Sequence, residues 1–446
     1  MSRPISPPYL MTAASLAFRC PPGPDQPVVL GTDSQTLASL ASLRREYGDI
    51  VRMQKPNGRL VYFVNDPLEV QHILVRRHRK YTKGPGFERV KLLLGNGLIV
   101  SDGDVWRRSR RMIQPAFGRQ NVHQLLGVMV ECCDRRASRW AKLVAAGADI
   151  NITGETSEFA LELILKSIFG TDYAARIVAN GENPFAFLSQ DSARDLRVVL
   201  KLRELRDLLF EIIASRRRAR QDDGSDFLSM YIKTTDKDGV GFSDKELLDE
   251  LMTLIIAGFE TSANTLSWVW YLLSRHPDVE TRLLEEAKRI VPNVSAVSYE
   301  SLADMKFTQQ VLEETLRLYP PVWLFTRRAI KDDQLTNYDV APGTDIYLSP
   351  FILHRTEDYW PNADRFDPDR FALDNQLKKE LPFFPFSLGP RRCLGEYFSF
   401  LEMKVHIGLL LPRFRMRSEN PRNPKLEFGI NLRTAEDIVL KPELRH

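Results

Sequence analysis

The longest helical pattern in the chain, from Ser243 to Arg275, constrains its fold more than any other feature. Ser243 and Glu246 stand three residues apart at its start, which is the spacing of a capping box that satisfies backbone donors of the first turn. His276-Pro277 ends the pattern, because a residue that precedes proline is disfavoured in the helical conformation. A mainly helical protein is therefore expected around this segment.

Patterns on both sides of the long helix predict small sheets. Residues 49–64 alternate apolar and polar side chains around Asn57-Gly58, a dipeptide that closes β-hairpins. Asp66-Pro67 is a typical helix start, and helical periodicity dominates the middle of the chain. After Pro320 the pattern changes to short strands and proline-rich connections, and one more helix follows Gly395. The expected fold class is mainly α with small β sheets (α+β).

Two connections and the domain limits complete the outline. The glycine-rich stretch from Gly84 to Asp104 has room for a short helix at Val90–Leu94, and a long loop in a compact protein is usually functional. Residues 221–241 are polar and charged, which predicts an exposed connection and not a domain linker. We expect an N-terminal arm and first helix over residues 1–44, and a single domain over residues 45–446.

Composition excludes several classes of protein. A hydrophobic share of 43% with 27% charged residues predicts a globular chain. The net charge of +4 is too small to indicate a nucleic-acid partner. The four cysteines form no CxxC pair, which argues against a zinc site or a disulfide framework and favours a reducing, cytoplasmic compartment. These cysteines are Cys20, Cys132, Cys133 and Cys393.

The early apolar stretch Tyr9–Phe18 is about half as long as a membrane span requires, so no transmembrane segment is expected. Its flanks lack the basic start and cleavage site of a secretory signal, so the mature chain is expected to begin near Met1. We favour a mobile arm here over a peripheral membrane anchor.

Residues around Cys393 have the character of a metal-binding loop. A cysteine that ligates iron must be a thiolate, and positive charge, backbone N–H groups and a helix N-terminus stabilise that form. Gly389 and Gly395 allow a tight loop, Arg391 adds charge, and a helix begins just after Cys393. An isolated cysteine in an apolar stretch would instead indicate a buried structural thiol.

This segment resembles the haem-binding loop of the cytochrome P-450 family, in which Phe-x-x-Gly-x-Arg-x-Cys-x-Gly recurs. All five fixed positions match, and they are Phe386, Gly389, Arg391, Cys393 and Gly395. The resemblance covers roughly residues 45–440. It implies the cytochrome P-450 fold, a triangular helical prism that encloses haem b, with Cys393 as the iron ligand.

A second motif lies in the middle of the long helix. Gly258 costs about 1 kcal/mol there relative to alanine, so its presence needs a reason. Thr261 lies four residues after Ala257 and can bond that carbonyl, which opens the helical ladder. The glycine and the threonine could also simply pack against a neighbouring helix. The segment resembles the oxygen-activation motif of the family, which implies that Thr261 and Glu260 are catalytic proton carriers and that Ala257 and Gly258 lie beside the cofactor.

Glu314 and Arg317 are three residues apart on a predicted helix, where they face each other. Alone they would indicate a surface ion pair of little energetic weight. The later segment Phe366–Phe371 resembles the family's second arginine segment, which implies that Glu314, Arg317 and Arg370 form a buried structural triad.

Trp106 and Arg110 share one face of a predicted helix and resemble the propionate-binding helix of the family. The resemblance implies that they bind the haem carboxylates together with Arg327 and Arg391.

The neighbouring arginines have two interpretations. Arg107, Arg108 and Arg111 could each be part of a solvated basic face. Together with Arg392 they are expected to form a basic patch that attracts an acidic electron donor. No segment of the chain is left for a flavin or nicotinamide cofactor, so a ferredoxin or flavodoxin with its reductase is the expected partner.

The resemblance implies a haem-thiolate monooxygenase that inserts one oxygen atom of O2 into a lipophilic substrate, by hydroxylation or epoxidation. The expected pocket residues are Ile255, Val322, Leu324, Phe325 and Ile430. Two alternatives stay open. A peroxygenase or hydroperoxide isomerase needs no electron donor, but such relatives usually lack the acid and threonine pair, and a non-enzymatic haem sensor is the other.

Overall fold

The computed structural model describes residues 18–179, 181–190, 196–219, 224–372, 380–420 and 422–445. Residues 1–17, which include most of the predicted N-terminal arm, lie outside the described residues. The α-helices are α1 Ser34–Tyr47, α2 Pro67–Gln71, α3 Phe87–Leu94, α4 Gly103–Ile113, α5 Arg119–Gln124, α6 Leu126–Ala145, α7 Ile152–Phe169, α8 Phe187–Gln190, α9 Leu196–Arg218, α10 Phe227–Lys233, α11 Asp244–Arg275, α12 Pro277–Ile290, α13 Tyr299–Asp304, α14 Lys306–Leu318, α15 Pro350–Leu353 and α16 Glu396–Leu410.

Short strands form four small sheets. The strands are β1 Ile50–Gln54, β2 Leu60–Val64, β3 Tyr81–Lys83, β4 Ile150–Asn151, β5 Phe325–Ala329, β6 Asp333–Leu335, β7 Tyr338–Val340, β8 Asp345–Leu348, β9 Phe414–Arg417, β10 Leu426–Phe428, β11 Leu432–Thr434 and β12 Val439–Leu444. The largest sheet has the order β1-β2-β8-β5-β3, and the others are β4-β12-β9, β6-β7 and β10-β11. Within the described residues the architecture is mainly α with small sheets, as the sequence predicts.

The long helix is confirmed as α11. Ser243 caps it, and both hydrogen bonds of the capping box with Glu246 are present. At 1.5 Å per residue its 32 residues extend for about 48 Å. Buried residues occur along most of its length, and its longest contact is with α7. Because α11 runs through the helical core, it can present side chains to several parts of the molecule at once.

The early hairpin is also confirmed. β1 and β2 pair antiparallel, and Gly58 in the connecting turn has a φ of +79°. β2 continues in parallel with β8, and β8 pairs with β5. The sheet packs on Leu40 of α1 through an apolar cluster that includes Val51 and Phe63. This sheet fixes the position of β5, the strand that carries Arg327.

One connection differs from its prediction. Residues 221–241 were expected to be an exposed connection, but they contain α10, in which Phe227, Leu228 and Tyr231 are buried in the core. Burial of these three large side chains favours a helix packed on the core, although the residues around them are polar. In the glycine-rich stretch, α3 begins at Phe87 and so is longer than the helix predicted at Val90–Leu94. None of the helices described is long and apolar enough to cross a membrane.

Polar groups buried between α11 and α16 form a further feature of the core. His406 of α16 is fully buried, and its Nε2 accepts a hydrogen bond of 3.0 Å from the indole N–H of Trp270. Burial, with a smaller contribution from the charge of Arg136, lowers the pKa of His406 to about 3. This imidazole is therefore neutral in the folded protein at every pH near neutrality.

The replacement His406→Gln is expected to make the stability of the protein less sensitive to acid. An unfolded chain protonates this histidine at a pKa of about 6.5, so the contribution of the neutral ring is complete above that pH and is lost as the pH falls towards the folded value. Within this window the free energy of unfolding should fall by about 1.4 kcal/mol per pH unit more in the original protein than in the variant. Glutamine keeps an acceptor for Trp270, which makes the comparison a matched one. Urea unfolding midpoints at several pH values measure the effect, and identical pH profiles would contradict it.

Candidate active site

The loop before α16 places Cys393 by means of its backbone. The Cys393 N–H donates to the carbonyl of Phe386 at 2.9 Å, and the Arg392 N–H donates to the carbonyl of Gly389 at 3.0 Å. Gly389 has a φ of +67°, and a Cβ atom there would lie 2.2 Å from the carbonyl oxygen of Leu74. Only glycine fits this position without moving the backbone. Gly395 has an ordinary φ of −80°, so its conformation does not require glycine.

The groups around the Cys393 sulfur have opposite effects on the pKa of its thiol. The Cys393 side chain is exposed at the edge of the loop, yet the dense protein around it raises the pKa of its thiol to about 11, whereas hydrogen bonds from the Gly395 and Glu396 N–H groups and the charge of Arg110 act in the opposite direction. A bound metal ion would add the positive charge that a thiolate needs. Arg110 also donates to the carbonyl of Arg392 at 2.7 Å, so α4 contacts the loop directly.

Next to this loop, three cations share one carboxylate. Arg327 is 6% exposed, and burial, aided by the charge of Arg391, lowers its pKa to about 10. Burial and the charges of Arg327 and Arg391 also hold the pKa of Lys83 well below its usual range. Asp102 pairs with Arg391, and the guanidinium of Arg391 lies 4.2 Å above the ring of Trp106.

The excess of positive charge in this region indicates what kind of ligand these residues can hold. Buried cations that outnumber their anions are unstable unless an anionic ligand compensates them. The two carboxylates of a haem are such ligands, and the thiol of Cys393 is a suitable ligand for its iron. The residues of this region therefore fit haem b. Trp106, Arg110, Arg327 and Arg391, all expected at the cofactor, lie in this region or contact its loop, and Lys83 joins them.

The middle of α11 carries the expected oxygen-activation residues. The Thr261 hydroxyl donates to the Ala257 carbonyl at 2.9 Å, as its spacing predicts. Glu260 is half-buried beside it. Gly258 has a different surrounding, because a Cβ atom there would lie 2.8 Å from the side chain of Ile164 on α7. We conclude that this glycine lets α7 approach α11 closely, and its expected position beside the cofactor stays a prediction.

The expected triad comes together around Glu314. Arg317 donates to both carboxylate oxygens of Glu314 at 2.7 and 2.8 Å, and both side chains are fully buried. Arg370 lies 3.5 Å from Glu314. Arg317 also donates to the carbonyl of His354, whose Nε2 accepts from the N–H of Phe384. The ion pair is thus linked to the segment that leads into the Cys393 loop.

The expected pocket residues divide into two groups. Ile430 is 51% exposed, at the tip of the β10-β11 hairpin, and the hairpin is tied to the segment around Val322 because the Leu432 N–H donates to the carbonyl of Pro321. Ile255 is fully buried in the helical core, and Leu324 packs against the apolar cluster under the large sheet. Ile255 therefore has no exposed surface for a pocket wall, whereas Leu324 is half-buried and its expected place there stays a prediction.

Phe325 also packs under the large sheet, with its ring 6.0 Å from that of Phe384. Val322 is half-buried and belongs to none of the apolar clusters among the described residues. Of the expected pocket residues, Val322, Leu324, Phe325 and Ile430 therefore all keep some exposed side-chain surface.

The expected basic patch is largely neutralised. Arg107 pairs with Asp104, and Arg392 makes two hydrogen bonds with Glu396. Arg108 makes hydrogen bonds of 2.7 and 2.9 Å with Asp236 and Glu246, because the connection before α11 folds back onto α4. Arg111 is exposed. Three of the four arginines thus have carboxylate partners, which corrects their interpretation as one patch of free charge.

A cavity of about 1060 Å³ lies on one side of the Cys393 loop. Residues of α2, α13, α14, α16 and the segment Glu380–Leu388 line it, together with Cys393 itself. None of the described residues that line it belongs to α11, so this cavity is separate from the region of Thr261.

Sequence reasoning missed three residues near the site. Lys83 and Asp102 belong to the cation cluster, and His354 connects the ion pair to the loop. Asp102 had a local signal, since it precedes a helix and caps it. Lys83 and His354 had none, because their roles depend on contacts between segments far apart in the sequence.

Comparisons with known proteins agree on one family. The family model of cytochrome P-450 matches residues 26–442. The chain is 32% identical to the cyclooctatin synthase of Streptomyces melanosporofaciens, over 86% of this chain and 85% of that protein. It is 30% identical to the pentalenene oxygenase of Streptomyces avermitilis, over 84% of this chain and 85% of that protein. The protein LUTEIN DEFICIENT 5 of Arabidopsis thaliana is also 30% identical, over 88% and 72% of the two chains.

The crystal structure of the haem domain of cytochrome P-450DA superposes with a TM-score of 0.83, over 96% of this chain and 98% of that chain. At 24% identity this likeness shows the fold. With a family match over most of its length and relatives of at least 30% identity, the chain belongs to the cytochrome P-450 family and is a haem-thiolate monooxygenase with haem b as its cofactor.

Proposed function

We propose that the protein inserts one oxygen atom of O2 into a hydrophobic terpenoid hydrocarbon or alcohol, with electrons from a separate ferredoxin or flavodoxin. The observation that carries the oxygenase part is the Cys393 loop with the surplus of cations beside it. The substrate class is supported by relatives named for pentalenene and for cyclooctat-9-en-7-ol, and by the half-buried apolar side chains of Val322 and Leu98. Hydroxylation and epoxidation both fit this chemistry.

Each part of the site has a task in this proposal. Cys393 would ligate the iron, and Trp106, Arg110, Arg327 and Lys83 would hold the haem carboxylates. When bound, the haem supplies reductive activation of O2 and transfer of one oxygen atom to the substrate.

The proton step is assigned to α11. The Thr261 hydroxyl donates a hydrogen bond to the Ala257 carbonyl, so the hydroxyl oxygen can still accept a hydrogen bond from a donor on the cofactor side. Rotation of the hydroxyl would let it donate instead. Glu260, which precedes it, would supply protons to this hydroxyl.

The electron donor is proposed to bind beside the Cys393 loop at a different set of arginines. Arg76, Arg77 and Arg79 are exposed and make no ion pair within the described part of the chain. The backbone of Leu74 lies directly against Gly389, so this run is held next to the loop. Unpaired positive charge at this position would attract an acidic electron carrier.

We expect Cys393→Ala to abolish the strongly red-shifted Soret band of the reduced protein under carbon monoxide, because that band requires a thiolate ligand. Cys20→Ala is the control, since Cys20 is exposed and lies on the N-terminal segment. Absorbance spectra of the two purified proteins provide the measurement. A band that persists in Cys393→Ala, or a histidine-like band in the original protein, would refute the assignment.

Thr261→Ala should keep the red-shifted band but divert reducing equivalents to hydrogen peroxide, with product formation reduced by about tenfold to a hundredfold. Thr265→Ala is a matched control, because the Thr265 hydroxyl bonds the Thr261 carbonyl at the same distance of 2.9 Å one turn further along α11. Peroxide and product per electron pair are measured for a substrate identified by binding spectra against a panel of terpenoids. Equal coupling in both variants would remove Thr261 from the proton step.

Reversing the charges of Arg76, Arg77 and Arg79 to glutamate should raise the KM for a [2Fe–2S] ferredoxin by about tenfold or more and weaken its dependence on salt. Arg107→Glu is the control, because Arg107 is also exposed but already paired with Asp104. Reduction of the haem by ferredoxin is followed at several ionic strengths. A larger increase of this KM in Arg107→Glu would contradict the proposal and indicate that ferredoxin binds at α4.

A further inference from the structure

Two buried carboxylates on the first part of α11 hold the glycine-rich segment Gly95–Leu98. The Asn96 N–H donates to Asp249 Oδ2 at 2.9 Å, and the Leu98 N–H donates to Glu250 Oε2 at 2.8 Å. Asp249 and Glu250 are only 6% and 4% exposed. Neither acid was a candidate in the sequence, and neither belongs to the haem site described above.

Both glycines of the segment are in close contact with α11. A Cβ atom on Gly95 would lie 2.0 Å from Asp249 Oδ1, and the φ of Gly95 is +77°. A Cβ atom on Gly97 would lie 2.3 Å from Thr253 Oγ1 and 2.5 Å from the carbonyl oxygen of Asp249. At Gly95 and Gly97 the backbone lies closer to α11 than any residue with a Cβ atom would allow. This close contact fixes the position of the segment against α11.

The next residues of the segment lie between this attachment and a second one. Asp102 accepts from the Lys83 N–H at 2.8 Å and pairs with Arg391. Between the two attachments, Leu98 and Ile99 are apolar and half-buried. Thr253, at the first attachment, is one helical turn before Ala257. The attachment therefore sets how far Leu98 and Ile99 lie from the turn of α11 that carries the oxygen-activation residues.

The chemistry of the attachment suits repeated opening. Hydrogen bonds from backbone N–H groups to carboxylates are strong in a buried site. When the segment moves away, water hydrates both the N–H groups and the carboxylates, so the net loss is modest. An apolar contact of the same strength would expose hydrophobic surface instead. Glu250 lies beside Ser109 of α4, and Asp249 lies 3.8 Å from Arg206 of α9, so both acids have polar neighbours outside the loop.

We propose that Asp249 and Glu250 are positioning residues for the substrate: they hold Gly95–Leu98 closed against α11, and substrate can reach the oxygen-activation turn only when these two bonds open. This inference rests on the proposed function, which assigns the proton step of the oxygenation to Thr261 on α11. The pair acts through the loop and does not touch the reacting atoms.

The test uses the full-length haem-loaded protein and two probes. 4-Phenylimidazole is a bulky ligand of haem iron, and carbon monoxide is a small one. Glu250→Ala removes one acceptor, Glu250→Gln retains it, and Gly97→Ala displaces the segment without changing either acid. Glu88→Ala is the control, because Glu88 lies on α3 and accepts a hydrogen bond from the nearby Gly86 N–H, away from both attachments. Association and dissociation rates are followed by the Soret shift, and amide exchange is followed for a peptide that contains Asn96 and Leu98.

Glu250→Ala and Gly97→Ala are expected to raise both rates for 4-phenylimidazole and the amide exchange by about tenfold, the effect of leaving a buried backbone N–H without its acceptor. Carbon monoxide rates should change little, and Glu250→Gln and Glu88→Ala should behave like the original protein. Unchanged exchange and unchanged 4-phenylimidazole rates in Glu250→Ala and Gly97→Ala would overturn the proposal. An equal increase for carbon monoxide would also overturn it, since the loop would then not select by size.

The two hypotheses fail in different ways. If the original protein lacked a thiolate-type carbon monoxide band, the proposed function would be wrong, and amide exchange would still decide whether the acids hold the loop. If that band were present but exchange were unaffected by Glu250→Ala, the positioning role alone would be wrong.

Discussion

The hydrogen-bonded ion pair between Glu314 and Arg317 determines where the haem loop can lie. Both side chains are fully buried, so each has lost its hydration and depends on the other. The remaining guanidinium donors bond carbonyl oxygens of His354 and Ala363. Because the ring of His354 then accepts the Phe384 N–H, the backbone leading to Cys393 is anchored to α14. Removing Glu314 would leave a buried cation and also release this connection.

A second electrostatic constraint couples folding to the cofactor. Arg327 and Lys83 have pKa values lowered by burial and by neighbouring positive charge, and Asp102 is the carboxylate that opposes them among the described residues. A ligand that binds the folded state and supplies two carboxylates removes this repulsion, and so stabilises the fold by mass action. The same two carboxylates fix the haem orientation relative to α4 and β5. Cofactor binding and the arrangement of these elements therefore depend on each other.

The sequence was most informative where a role depends on residues close together in the chain. The capping box of α11, the turn at Gly58, the Thr261 bond to Ala257 and the pairing of Glu314 with Arg317 all follow from local spacing. The predictions were wrong where a distant segment competes for a side chain. Arg108 was expected on a solvated basic face or in a basic patch, but a connection more than a hundred residues later brings Asp236 to it.

Glycine residues show the same limit in a different form. Gly258 and Gly97 both indicate that something lies close to the backbone, yet the sequence does not identify it. In the structure the neighbour of Gly258 is Ile164 of α7, and that of Gly97 is Thr253 of α11. Along α11 the loop attachment, the packing glycine and Thr261 thus occupy successive turns of one rigid helix. The loop attachment, the Gly258 contact and Thr261 all lie on α11. A movement of α11 that opened the loop attachment would therefore also change the contact with α7 and the geometry of Thr261. Opening by movement of the loop avoids this conflict, since hydrogen bonds to α11 can break while the helix stays in place.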